Sequence, residues 1–168
     1  PANLRALEHV AFTLRDRMSL DNWRTINSLI KDPVFNKAAS LSDTLGWLNR
    51  TVTSMMTLSG FALDGMTRDD GWRFLSIGRR LERLAFQCLA LQTAFGHRAN
   101  SGLTWLLLLA DSTVTYRSRY LMRPEWLPVL DLLVLDSANP RSVMFQAEGV
   151  HSALLKLEAA HGPCGSDL

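Results

Sequence analysis

From Leu4 to Leu157 apolar residues recur every three or four positions, and nowhere do they settle into strict alternation. That spacing places them on one side of a 3.6-residue helix, whereas a half-buried strand needs period two. Asn-Gly and Asp-Gly hairpin turns are also missing in a sheet-forming context. The pattern therefore predicts an all-α fold, a bundle of about six to seven helices with no sheet. With 168 residues, 47% of them hydrophobic and 20% charged, the chain can bury a core unaided by disulfides or metal. Residues 1–160 read as a single helical domain and residues 161–168 as a flexible tail rich in Gly, Pro and Ser.

Local signals divide the pattern. Asn3 is placed to cap a first helix carrying Leu4, Leu7, Ala11, Leu14 and Met18, and Ser19 a second that stops before Pro33. With no Gly or Pro between them, the two could also be one bent helix. A third begins near Ser40 or Ser42. Thr67 reads as the N-cap of a fourth, with Asp69 and Asp70 on the positive end of its dipole, running to about Phe95. Ser101 opens a fifth that extends to about Met122 and is apolar all round from Leu103 to Ala110, as a central helix would be. A sixth covers about Glu125 to Leu135. Asn139-Pro140 predicts N-cap and first turn of a seventh, with a stripe of Val143, Ala147, Val150, Leu154 and Leu157.

Eighteen basic residues against sixteen acidic leave a formal charge of +2, too small an excess to imply nucleic acid. No apolar run approaches the ~20 residues of a membrane span, and Arg5, Glu8, His9 and Arg15 break up any signal-peptide core. The two cysteines, Cys88 and Cys164, read as free thiols. Together these features lead to the expectation of a cytoplasmic protein with neither membrane nor nucleic-acid partner. His9, His97, His151 and His161 show no metal-ligand spacing with one another or with the cysteines. No P-loop, dinucleotide fingerprint or nucleophile elbow is present, so no cofactor and no metal are expected.

Three constellations carry chemistry. On the fourth helix Phe74, Ile77, Leu81, Leu84, Cys88 and Leu91 form one apolar row, and Leu75, Gly78, Glu82, Ala85 and Leu89 a second beside it. Glu82 in that second row must be paired, hydrogen-bonded or protonated if buried. Arg79 and Arg83 are its nearest helpers, and Gly78 would admit another backbone or a ligand. Such a carboxylate either pins helix register as a buried ion pair or acts as acid, base or ligand anchor, and Glu82 is the candidate catalytic residue. On the fifth helix Asp111, Thr115 and Ser118 form a polar strip, followed by Tyr116, Arg117, Arg119 and Tyr120. Guanidinium groups there could bind phosphate or carboxylate, or the strip could be hydrogen-bonded between helices. The third is the loop from Asp136 through Asn139 and Arg141 to Gln146. There a helix N-terminus and an arginine could attract an anion, with Asn139 as cap and Asp136 bound to Arg141 or to free amides.

Thr67–Arg83, Thr115–Tyr120 and Leu127–Ser142 with Phe145-Gln146 together resemble the bacterial alpha-E domain family, from about Leu4 to Leu157. Its helical Glu-Arg motif falls on Glu82-Arg83. The resemblance implies a domain found beside, or fused to, ATP-grasp carboxylate–amine ligases. It also implies transglutaminase-like proteins and a proteasome-like peptidase as neighbours, with synthesis, tagging or breakdown of a peptide as the theme. The expected role is a non-catalytic accessory domain serving such a ligase. The alternative is an enzyme of the same pathway with a site built on Glu82, Arg79, Arg83, Asp111, Arg117 and Arg119. The family's usual domain is about twice this length and carries an earlier Glu-Arg helix, which nothing before residue 67 matches. The chain is accordingly expected to be the C-terminal portion of a longer protein.

Overall fold

The computed structural model describes residues 2–32, 40–97, 100–120 and 123–162. Among these the chain forms eight α-helices and no strand, as the periodicity predicts. Its contacts gather in two compact units, residues 1–67 and 68–168, where the sequence alone reads one domain over 1–160.

The first unit holds α1 (Ala2–Thr13), α2 (Leu20–Ile30) and α3 (Leu41–Gly60). Helix α1 already includes Asn3, so that residue is not its cap, and a short 3-10 turn, Arg15–Arg17, separates α1 from α2. Ser19 caps α2 as expected, its hydroxyl accepting from the Asn22 amide at 3.2 Å. Ser40 caps α3 in a reciprocal box: its hydroxyl accepts from the Asp43 amide at 3.1 Å, and the Asp43 carboxylate accepts from the Ser40 amide at 3.2 Å. Ala11, Ile26, Leu29 and Ala62 are buried here, whereas α3 buries none of its twenty residues.

The second unit is built on α4 (Asp70–His97) packed along α8 (Val143–His161). Between them run α5 (Asn100–Leu109), α6 (Thr113–Tyr120) and α7 (Trp126–Leu130), the last prolonged by a π-helical turn, Asp131–Leu135. Asp69, not Thr67, caps α4: its carboxylate accepts from the Trp72 amide at 3.0 Å, and its carbonyl from the Arg73 amide at 3.1 Å.

The expected fifth helix is broken. Asp111 adopts a left-handed φ of 49°, which ends α5 and restarts the chain as α6; Asp tolerates this conformation better than most residues because its short side chain can bond locally. The core of the unit is Leu103, Leu106 and Leu107 of α5, Tyr116 of α6, and Val129, Leu132 and Leu133. Helix α5 is central on that face alone, since Trp105, Leu108 and Leu109 on its other sides are exposed. No described helix is long and apolar enough to cross a membrane. Cys88 is a free, exposed thiol; Cys164, Pro33, Met122 and residues 163–168 lie outside the described residues.

Candidate functional site

The packed seam of α4 lies one step round the helix from the rows that apolarity predicts. Phe74, Leu81, Cys88 and Leu89 are exposed, and the inward positions are Ile77, Arg80, Leu84, Gln87, Leu91 and Ala94, spaced by threes and fours. Helix α8 answers with Gln146, Gly149, Ala153 and Leu157 rather than Ala147 and Leu154. A seam of mixed polarity is invisible to hydrophobic periodicity.

Glu82 therefore sits outside. It is exposed and forms no ion pair among the described residues, so the expectation that it is buried against an arginine fails. The row it shares with Leu75, Ala85 and Leu89 faces solvent, and a solvated carboxylate needs no partner. Gly78 likewise has nothing within 4 Å of where a Cβ would stand.

The inward polar residue is Arg80. One guanidinium nitrogen donates to the Phe145 carbonyl and to Gln146 Oε1, both at 3.3 Å, and the cation lies 5.1 Å from the centre of the Phe145 ring. It fits because residue 149 is glycine: a Cβ there would come within 2.2 Å of the guanidinium carbon. Gln146, 2% exposed, reaches Arg80 with its oxygen and the Pro140 carbonyl with its nitrogen. It thereby joins α4 to the turn ahead of α8. Arg141 leaves that turn to pair with Asp111 at 3.1 Å.

Arg83, one turn beyond Arg79 and Arg80, is held below the ordinary arginine pKa. Loss of solvent around its guanidinium is the main cause, followed by repulsion from Arg79, Arg141 and Arg80. Of the sequence candidates, the structure thus gathers Arg79, Arg83, Asp111, Arg141 and Gln146, and adds Arg80. Its neighbours Arg79 and Arg83 stood out as helpers of Glu82. Arg80 itself was legible only from Gly149, a glycine on another helix that makes room for it.

The remaining candidates do other work. Tyr116, 1% exposed, donates its hydroxyl to the Arg123 carbonyl and accepts from the Glu125 amide, both at 3.1 Å, so it pins α6 to the start of α7. Arg119 pairs with Asp136, which also accepts from the Ala138 amide at 2.8 Å. That amide, then Arg119, keep the Asp136 carboxyl below its usual range. Asp136 is thus bound to a backbone amide, as one of the two alternatives has it, and to Arg119 rather than Arg141. Asn139 is no helix cap: buried, it donates from its amide to the Leu132 carbonyl at 2.9 Å and accepts from the Arg141 amide at 3.0 Å. Capping of α8 falls to Ser142, whose hydroxyl accepts from the Phe145 amide at 3.0 Å, because the carbonyl left open by the π-helical turn takes the asparagine first. Arg117 is exposed without an ion pair among the described residues.

Helix α8 also carries Glu148-Gly-Val-His151 and Glu158-Ala-Ala-His161, two Glu/His pairs at a spacing used for metal in helical bundles. His161 is engaged with Asp70 at 2.7 Å, and no three potential metal ligands come together among the described residues. A cleft of about 400 Å³ lies in the first unit between α2 and α3, lined by Ser28, Asn49 and the ion pair of Arg50 with Asp32.

No solved structure matches the chain. Uncharacterised proteins of Mycobacterium bovis and Mycobacterium tuberculosis are 28% identical to it over 171 residues. The alignments take in 95% of this chain but only 19% of each relative. The family model for Alpha-E, described as a predicted alpha-helical domain with a conserved ER motif, matches residues 1–166. Glu82-Arg83 is the single Glu-Arg pair in the sequence, and its arginine stands in the guanidinium cluster between α4 and α8. With an all-α fold, that motif and near-complete coverage, the chain belongs to the Alpha-E family.

Proposed function

We propose that the chain is a non-catalytic helical accessory domain that works with an ATP-grasp carboxylate–amine ligase in peptide synthesis or tagging in the bacterial cytoplasm. The observation that carries the reading is the guanidinium cluster at the α4–α8 crossing, which is partly exposed and borders exposed apolar residues of α4 such as Leu81 and Phe86. Arginine beside apolar surface is the composition of protein interfaces. Guanidinium forks also suit the carboxylates and acidic side chains that a peptide ligase handles. The relatives' length supports the same reading, because a fold that is a fifth of a longer protein acts alongside other domains. A transglutaminase-like protein or a proteasome-like peptidase is the further partner that the family resemblance brings.

ATP-driven ligation itself requires a phosphate cradle and magnesium-binding carboxylates, which the reading assigns to the partner. The test is to assay the ligase for ATP- and amine-dependent product with and without this chain, then with Arg83→Gln and Arg117→Gln. A drop in product on removing the chain, reproduced by Arg83→Gln, is the expected result. Turnover by the chain alone would replace this reading with an enzyme. An unchanged partner, in both activity and binding, would end it.

A further inference from the structure

Helix α3 turns its apolar side to solvent. Leu41, Leu45, Leu48, Val52 and Met55 follow one another at steps of four, three, four and three, the spacing of a helix-pairing seam. Their exposures run from 37% to 77%, and Met56 beside them is 70% exposed. The side turned to α2 is polar instead: Arg50 donates to Asp32 at 2.8 Å, and Thr51 and Ser54 line the cleft between the two helices. Asp43 and Arg50 are the only charged residues of α3, one heptad apart on the side away from the seam. Both are engaged there, Asp43 in the capping box and Arg50 with Asp32. A helix on the surface of a domain normally does the reverse, with charge outward and the apolar stripe inward. A contiguous apolar stripe left outside marks an interaction surface.

We propose that this seam is where two copies of the chain pair, α3 against α3. Charge selects the occupant. Unlike helices choose each other through charged residues flanking the seam. The flanks here are Ser42, Asn49 and Met56 on one side and Thr44 and Thr51 on the other, all uncharged. Nothing in them selects an unlike helix or repels a like one. Residues 1–67 carry seven basic and six acidic residues, so two such units meet almost without net repulsion. A helix lying on a membrane carries Lys and Arg along its polar face, whereas the single basic residue of α3 is already given to Asp32. A seam that meets its own copy also closes as a two-fold pair, leaving no apolar stripe to recruit a third chain. The inference does not depend on a ligase partner.

The test is sedimentation equilibrium of the full chain from about 1 to about 200 µM, a span that brackets the micromolar dissociation constant expected of so short a seam. The parent should pass from one chain toward two and stop there. Leu48→Glu and Val52→Glu, at exposed positions where substitution disturbs folding little, should each weaken pairing about tenfold or more with an unchanged circular dichroism spectrum. Leu127→Glu, at an 81% exposed apolar position on α7, should leave pairing as it is. Vesicles of phosphatidylcholine and phosphatidylserine should carry down no chain. A parent that stays single at every concentration, or assembles past two chains, would overturn the proposal. So would pairing that survives both seam glutamates, equal loss in Leu127→Glu, or capture by the vesicles that Val52→Glu abolishes. No ligase enters the experiment, so failure here leaves the accessory reading standing.

Discussion

The guanidinium carbon of Arg80 stands 2.2 Å from the point where a Cβ on Gly149 would lie, so the two residues share one site between α4 and α8. The glycine is kept there against helix propensity, which favours alanine by about 1 kcal/mol. What it gains is a cation on the packed seam, anchored to two acceptors and an aromatic face.

Gly149→Ala should therefore change stability by less than about 1 kcal/mol, because better helix propensity offsets the loss of two hydrogen bonds of modest net worth. The clash is with the far end of a flexible side chain, which can swing aside. In an Arg80→Ala background the same substitution should be stabilising by about 1 kcal/mol. Urea unfolding of the four proteins closes the cycle; equal effects of Gly149→Ala in both backgrounds would show that the two residues do not interact.

Glu82→Ala should unfold at nearly the parent urea concentration, within about 0.5 kcal/mol, as surface substitutions generally do. Had Glu82 been buried and paired as its apolar row predicts, the loss would be about 3–5 kcal/mol. The two magnitudes are far enough apart for a single denaturation curve to decide.

Tyr116→Phe tests the opposite kind of site. The buried hydroxyl both donates to the Arg123 carbonyl and accepts from the Glu125 amide, so its removal strands two backbone groups at once. A loss of about 1–3 kcal/mol is expected, measured as a lower urea midpoint with an unchanged slope.

What the residues disclosed unaided follows from which forces are local. Ser19 was legible as a cap, and Ser40 as one of two possible helix starts, because the capping bond is made within three residues. Asn139-Pro140 carried the same local signal and misled, since the asparagine is claimed by the Leu132 carbonyl of the preceding π-helical turn. The break at Asp111 had no Gly or Pro to mark it. The seam of α4 was hidden for a different reason: with apolar residues on several sides, only the shape of α8, small at Gly149 and Ala153, decides which side packs. The Glu-Arg pair was readable as a motif, but its two residues part company in space. The arginine joins the guanidinium cluster and the glutamate faces water.

Acid should loosen the far end of the same helix pair. Asp70 at the start of α4 binds His161 at the end of α8 and Arg73 on its own helix. His161 first, then Arg73, lower its pKa from the usual carboxylate value. A depressed folded pKa means stability present above the unfolded pKa and lost as pH falls through the folded one. Below about pH 4 the α4–α8 tie should therefore fade. Asp70→Asn should remove that part of the acid dependence, read as urea midpoints from pH 7 to pH 3. Parallel profiles for parent and variant would show that the bond contributes nothing.

The alkaline limb is set by Tyr120. Its hydroxyl donates to Asp131 at 2.6 Å, and that bond, reinforced by burial and by the carboxylate's charge, raises its pKa from 10.0 to about 12. Ionising the phenol would both remove the donated proton and set two anions against each other. Because the folded pKa is raised, the bond's contribution is complete below the unfolded value near pH 10 and disappears as pH rises through about 12. The chain has two tyrosines, so absorbance at the phenolate band resolves a late step of one phenol while the protein remains folded. Asp131→Asn removes the charge that holds the proton, and the late step should move down toward the ordinary tyrosine range near 10. A variant titration that overlays the parent's would show that Asp131 is not what holds the phenol protonated.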